Sequence, residues 1–203
     1  LKLFRNQMFN DGKTLTEITK FFTDFYNLNC ALLPMTNDKV QTTLTTVNNE
    51  ILSFQEYFVE KKADPKLKKI DYVGSDSANI TSEVSSVLKK ADQIIIGPSN
   101  PFLSIGPILS INKIRKLIVS HNNVVVVSPF INNKALKGPS DKNFKDFGFQ
   151  PNIEGLKVFY QDIANQFIVH ENENEEENVF SKNILFSEES VAVNLAKEIV
   201  QNV

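Results

Sequence analysis

Residues 94–127 read IIIGPSNPFLSIGPILSINKIRKLIVSHNNVVVV. The segment begins and ends in an unbroken β-branched run, Ile94–Ile96 and Val124–Val127. Such a run marks a strand buried on both faces, because a strand with one face in water alternates apolar and polar residues. Between the runs, Ile111, Ile114, Leu117 and Ile118 keep the three- and four-residue spacing of a helix. Strand, helical crossover and strand make a βαβ unit, and a crossover of that length brings the second strand back parallel to the first. The expected fold class is therefore α/β, with a largely parallel sheet and helices on both of its faces.

Working outward, Ser82–Ala91 reads as the helix before the first strand, with Val84, Val87 and Leu88 turned inward. Farther upstream, threonine-rich alternation over Val40–Val47 predicts a strand, Ile51–Val59 a strand running into a short helix, and Lys68–Val73 another strand. With the turn Pro34–Asp38 these form a smaller mixed α/β insertion over residues 34–80 of a single α/β domain. The chain opens on a helical pattern, Leu3, Phe4, Gln7 and Met8, which Asp11-Gly12 stops. Thr14 and Glu17 form a capping box. Behind it Leu15, Ile18, Phe21, Phe22 and Phe25 repeat at helical spacing, which assigns the phenylalanines to the core. Downstream, Phe144–Phe147 closes a short helix at Gly148, Ile153–Ile163 is helical and Phe167–Val169 extended. Phe180–Phe186 reads as a last strand and Glu188–Val200 as a last amphipathic helix. The acidic run Glu171–Asn178 is a surface loop without the glycine-turned alternation of an EF-hand. The lysines of Lys61–Lys69 read as a solvated loop or strand entry, since Asp64 and Pro65 interrupt them.

A chain of 203 residues supports one domain, and 41% apolar with 23% charged residues excludes a disordered chain. A net charge of −2 gives no reason to expect nucleic acid or an anionic membrane as partner. No apolar run approaches the ~18 residues of a membrane span, and the start shows no signal-peptide pattern. One cysteine, Cys30, excludes an internal disulfide and any multi-cysteine metal site, which suits a cytoplasmic protein. Its apolar neighbours predict that it is buried and inert. The chain starts at Leu1 and enters a helical pattern at once, which suggests a fragment or a processed chain.

In an open α/β sheet, ligands bind beyond the carboxyl ends of the strands. Two loops take that position: GPSNPFLSIGP after Ile96, and SPFINNKALKGPSDK, Ser128–Lys142, after the valine run. Both bring Gly, Ser, Asn and Pro together, and both exceed the two to six residues that a bare connection needs. Backbone amides with Ser99, Asn100 and Ser104 suit a phosphate or a sugar edge, and Lys134 and Lys137 supply the charge that a polyphosphate requires. The sequence lacks G-x-G-x-x-G, a Walker loop and a G-x-S-x-G elbow. His121 and His170 have no serine or cysteine pattern beside them, so positioning and charge stabilisation of a phosphorylated substrate fit better than covalent catalysis.

Carried by GPSNPFLSIGPILSI (97–111) and VVVVSPFINNKALKGPSDK (124–142), the chain resembles the 2-phospho-L-lactate transferase family. The similarity continues through LLPMTNDKVQTTL, FQEYFVEKKADPKLKKI and EGLKVFYQDIANQFIVHE, in order along nearly the whole chain. The resemblance implies a Rossmann-like fold and a reaction in the biosynthesis of a deazaflavin redox coenzyme. A phospholactyl or phosphoenolpyruvyl group passes from a guanosine diphosphate-linked donor to the deazaflavin alcohol Fo, GMP leaves and magnesium (Mg2+) assists. By the same resemblance Gly97, Pro98, Ser99, Asn100 and Pro101, with Ser104 and Gly106, belong to the nucleotide-facing loop. Ser128, Pro129, Lys137 and Gly138 line the neighbouring strand end, and Met35, Thr36, Asn37, Asp38 and Gln55 lie near the same cleft. The family's opening strand, glycine-rich phosphate loop and acidic metal positions are expected upstream of Leu1, so the chain corresponds to the C-terminal two-thirds of the enzyme, inactive alone; a homodimer is left open. Two departures stand out. Asn132 and Asn133 replace a usual glycine pair, a mild change because asparagine tolerates left-handed backbone, and Lys182, Asn183 and Ile184 stand where Thr-Asp-Thr is common. The alternative is a non-catalytic sugar-nucleotide-binding regulator on the same fold; Asn100-Pro101 and Lys137-Gly138-Pro139 favour the enzyme.

Overall fold

In the computed structural model, which describes residues 2–202 apart from 174 and 187, α1 (Lys2–Asn10) and α2 (Leu15–Phe25) precede a small sheet of β1 (Gln41–Thr46), β2 (Ile51–Ser53) and β3 (Leu67–Val73). Then α3 (Ser82–Lys90) leads into β4 (Ile94–Ile96), and α4 (Gly106–Leu109) with α5 (Asn112–Val119) crosses to β5 (Val124–Val127). A hairpin of β6 (Phe130–Ile131) and β7 (Lys134–Ala135), then α6 (Ser140–Asp146) and α7 (Ile153–Phe159), reaches β8 (Gln166–His170). The chain closes with β9 (Val179–Lys182) and α8 (Glu189–Asn202).

The parallel pairing expected from the two β-branched runs is present: Ile94 faces Val124, and Ile96 faces Val126. β8 adds to the other side of β5 and β9 to β8, all parallel, in the order β4-β5-β8-β9. Every residue of β5 is buried, as a strand covered on both faces requires. On one face Ile96, Val124, Val126, Phe167 and Val169 pack against Val84 of α3, Ile114 and Ile118 of α5, Phe144 of α6 and Leu156 of α7. On the other, Val125, Val127 and Ile168 meet Ile184 and α8 through Leu195 and Ile199. Helices thus lie on both faces, but α8 covers only the β5–β8 part of its side, and Ile95 of β4 is 44% exposed there.

The small sheet is antiparallel, in the order β2-β1-β3, and its core is Leu44, Leu52, Tyr57 and Leu67. One π-helical turn, Glu56–Glu60, buries Tyr57 beneath it. Leu103 belongs to this core and Phe102 packs against both cores, so the residues just after β4 join the two sheets.

Several expectations need correction. Phe21 and Phe25 are exposed, Phe25 at 65%; their rings gather with Phe4, Phe22 and Tyr26, and α2 buries only Ile18 and Thr23. Helical periodicity identified an apolar face without saying what covers it. Cys30 is exposed, not buried, and Val87 points outward. Helix α7 stops at Phe159: Tyr160 caps it, and the turn after it buries Ile163 at a spacing that imitates one more helical turn. β9 ends at Lys182, four residues short of the strand read from the apolar run. In the acidic run, position 174 lies outside the described residues.

Candidate functional site

Gly97 follows β4 and is exposed, with open space around its Cα. The Ser99 amide donates to Gly97 O (2.7 Å), which leaves its side chain at the surface. Asn100 then turns the chain into a helical segment. Its Oδ1 accepts from the amides of Phe102 and Leu103 (both 3.0 Å), and Pro101 occupies the first helical position, where no N–H is needed. The first loop is therefore the four residues Gly97–Asn100, a normal connection length. The length argument for a ligand loop does not hold for this rim. Ser104 stands on the helical segment facing solvent, and Gly106 is buried in α4, where an added Cβ would overlap the Tyr72 hydroxyl.

The second rim is likewise shorter than it reads. Ser128 is buried, and its Oγ accepts from the Phe130 amide (3.0 Å) and donates to Phe130 O (3.1 Å), a local turn beside buried Pro129. The β6–β7 hairpin follows, with Asn132 and Asn133 both left-handed (φ 51° and 62°), the pair a two-residue hairpin turn demands. Lys134, Lys137 and Gly138 are exposed, and Ser140 already belongs to α6.

The rims adjoin because β4 and β5 are neighbours, and a buried polar chain ties them. Asn100 Nδ2 donates to Asn143 Oδ1 (2.8 Å), and Asn143 Nδ2 donates to the Tyr57 hydroxyl (2.9 Å). Burial pushes the Tyr57 pKa up, so its hydroxyl stays protonated. Lys142, one residue before Asn143, sits over the Tyr57 ring and donates to Pro65 O and Asp146 Oδ2 (2.7 Å each), while Asp146 Oδ2 also accepts from the Leu67 amide. Sequence reading singled out neither Asn143 nor Tyr57, and no local pattern distinguishes a buried asparagine on α6 from a solvated one.

Met35–Asp38 serves a clasp. Thr36 Oγ1 donates to Asn79 O (2.5 Å) and accepts from the Asp38 amide, Asp38 Oδ2 accepts from the Asn79 amide (2.7 Å), and Asn37 Oδ1 accepts from Thr16 of α2. Met35 packs on the main core. Gln55 is exposed at the start of the π-helical turn. His121 is also structural: Nδ1 accepts from the Asn123 amide, so Nε2 donates to Ala91 O (2.8 Å). His170 ends β8 at 4% exposure with Nδ1 unpartnered, and burial raises the carboxyl pKa of nearby Glu173 while His170 opposes the shift.

One concavity lies past the first rim and another at the second. One of about 550 Å³ is walled by Tyr72, Phe102, Phe147, Phe149 and Phe159 and includes Gly106. Another of about 480 Å³ lies between Phe58, Lys62 and Asp64 and the Gly138-Pro139 end of the second rim. Among the described residues no group of three or more His, Cys, Asp or Glu side chains is placed to hold a metal ion. Nor is any described helix long and apolar enough to cross a membrane.

A parallel sheet, helices on both faces and polar rims at adjoining carboxyl ends define a Rossmann-like α/β protein. A solved Bacillus halodurans protein has this fold, with TM-score 0.72 at 15% identity over 98% of this chain and 71% of its own. The chain belongs to the 2-phospho-L-lactate transferase CofD family, whose profile matches residues 1–202. It is 32% identical to the 2-phospho-L-lactate transferase of Methanosarcina mazei over 89% of this chain and 59% of that protein. With the Methanocaldococcus jannaschii protein of that name it shares 34% identity over 83% of this chain and 55% of the relative. The chain thus spans less than two thirds of the length of either relative.

Proposed function

We propose that the protein containing this chain transfers a 2-phospholactyl or phosphoenolpyruvyl group from a guanosine diphosphate-linked donor to the deazaflavin alcohol Fo, releasing GMP in the cytoplasm. Membership of the transferase family along residues 1–202 carries this reading. In the reaction, the acceptor hydroxyl oxygen bonds to the phosphorus that bears the three-carbon acid. The bridging P–O bond breaks, GMP departs with its electron pair, and the hydroxyl proton passes to solvent or a base. Phosphoryl chemistry of this type relies on positioning and charge more than on covalent partners. In this reading the exposed Gly97 and Ser99 face the diphosphate, and Lys134 and Lys137 approach it from the second rim. Asn100, Ser128 and Thr36 hold the backbone that presents them.

Magnesium belongs to the same proposal, and when bound it would offset charge on the transferred and departing phosphates. The described residues do not compose its site: Asp38 is engaged with the Asn79 amide, and no acidic cluster converges elsewhere. No step is assigned to it here.

The test uses the full-length protein with Fo, magnesium and the guanosine-linked donor carrying either lactate or enolpyruvate, with GMP and product followed by chromatography. Product from one donor is expected; no GMP from either rejects the transferase. Calorimetric titration with guanosine and uridine diphosphates supplies a second criterion, and tighter uridine binding would favour the regulator.

A further inference from the structure

The polar chain from Tyr57 to Asn100 crosses three parts of the molecule: the small sheet's π-helical turn, α6 after the second rim, and the first rim. Asn143 and Tyr57 are both 0% exposed. A buried amide left unpaired costs about 1–3 kcal/mol, so such a group persists where both of its ends are used. Asn143 uses both, accepting from Asn100 and donating to Tyr57. Asn100 is thereby fixed in one orientation. With Nδ2 held by Asn143, its Oδ1 points at the Phe102 and Leu103 amides and the chain must turn where it does. Rotating the Asn100 amide would break all three bonds at once.

The geometry points to Asn143 as the positioning residue of the first rim, an anchor that holds Gly97–Asn100 in register with Lys137-Gly138 for a bound nucleoside diphosphate. The inference rests on the transferase reading for its ligand, but not for its mechanics. Asn143 lies on the helix that the second rim runs into, its backbone N–H donating to Pro139 O (2.8 Å), so its side chain ties the first rim to the helix that continues the second. Tyr57 holds the far end, where its hydroxyl accepts from Asn143 Nδ2.

Two substitutions in the full-length protein separate positioning from general support. Asn143→Ala frees Asn100, whereas Tyr57→Phe removes only the far hydroxyl and leaves the Asn100–Asn143 bond. Hydrogen exchange of the Phe102, Leu103 and Ser104 amides is read first, without ligand. It is expected to speed at least tenfold in Asn143→Ala and less than threefold in Tyr57→Phe, with Tm recorded for both. Guanosine diphosphate affinity is then expected to fall about tenfold in Asn143→Ala and less than threefold in Tyr57→Phe. Should Asn143→Ala not fold, Asn143→Ser, too short to reach Asn100, takes its place. Equal exchange in the two variants, or affinity losses that follow Tm alone, overturns the anchor. If the unsubstituted protein binds no guanosine diphosphate, the nucleotide reading fails, and exchange alone decides the anchor.

Discussion

Gly106→Ala is the sharpest test of how the segment after the first rim is packed. Gly106 has an ordinary helical backbone (φ −52°), so alanine there should gain up to about 1 kcal/mol in helix propensity. Tertiary packing opposes that gain. The new Cβ would overlap the Tyr72 hydroxyl and stand 2.7 Å from Tyr72 Cζ and 3.1 Å from Pro101 O. The Tyr72 ring must move, and moving it breaks its 2.6 Å hydrogen bond to Phe102 O. Overpacking of this kind costs about 1–3 kcal/mol, and stranding a buried hydroxyl about 1–3 kcal/mol more. Set against the propensity gain, a net loss of about 1–5 kcal/mol is expected, a fall in Tm of about 2–20 °C for a chain of this size. Urea unfolding followed by circular dichroism measures it, as one corner of a cycle with Tyr72→Phe. Removing the hydroxyl removes the worst overlap but not the Cζ contact, so the double variant should recover at least about 1 kcal/mol relative to additivity. A neutral or stabilising Gly106→Ala, or strict additivity, refutes the packing account. A variant that keeps full stability yet loses nucleotide affinity would reassign the glycine to the ligand.

Leu156→Ala, at a fully buried α7 position on the main core, should cost about 2–5 kcal/mol in the same urea assay. At the left-handed hairpin position, Asn133→Val should destabilise by about 1–2 kcal/mol while Asn133→Gly stays within about 0.5 kcal/mol, compared by thermal melts. For Glu173 the folded pKa lies above the ordinary value of 4.5 because burial disfavours the charge. Its contribution is therefore complete below that value and is lost as pH rises through the raised one. Glu173→Gln should then gain Tm over the unsubstituted protein across that rise and hold a constant advantage above it; a gain on acidification instead would reverse the assignment.

The parallel sheet was legible because burial on both faces leaves a compositional signature that needs no tertiary knowledge: Val124–Val127 reads the same alone or in place. The tolerance of Asn132 and Asn133 for left-handed backbone was legible too, but the hairpin they turn was not, because the same residues suit a ligand loop. Other features depend on partners distant in sequence. Phe21 and Phe25 have the right spacing for a core but gather with other rings of the α1–α2 face and stay exposed. Gly106 reads as part of a turn, yet the cause of its missing side chain is Tyr72 on β3. The first loop was drawn too long for a local reason: Asn100-Pro101 is a helix start, with a cap at asparagine and proline at the first helical position, and was read as loop stiffening.

That shorter loop changes what the family motif can mean. The resemblance gives Gly97–Pro101, Ser104 and Gly106 to the ligand, but the polar atoms divide by burial. Asn100 spends its amide on the Phe102 and Leu103 backbone and on Asn143, Ser128 its hydroxyl on Phe130, and Thr36 its own on Asn79 and Asp38. The exposed members, Gly97, Ser99 and Ser104 with Gln55, Lys134, Lys137 and Gly138, have their outer surfaces turned to solvent. In the proposed function such a motif serves both the scaffold and the ligand. Substitution of a buried member should therefore lower stability and affinity together, whereas substitution of an exposed one should change affinity at constant stability.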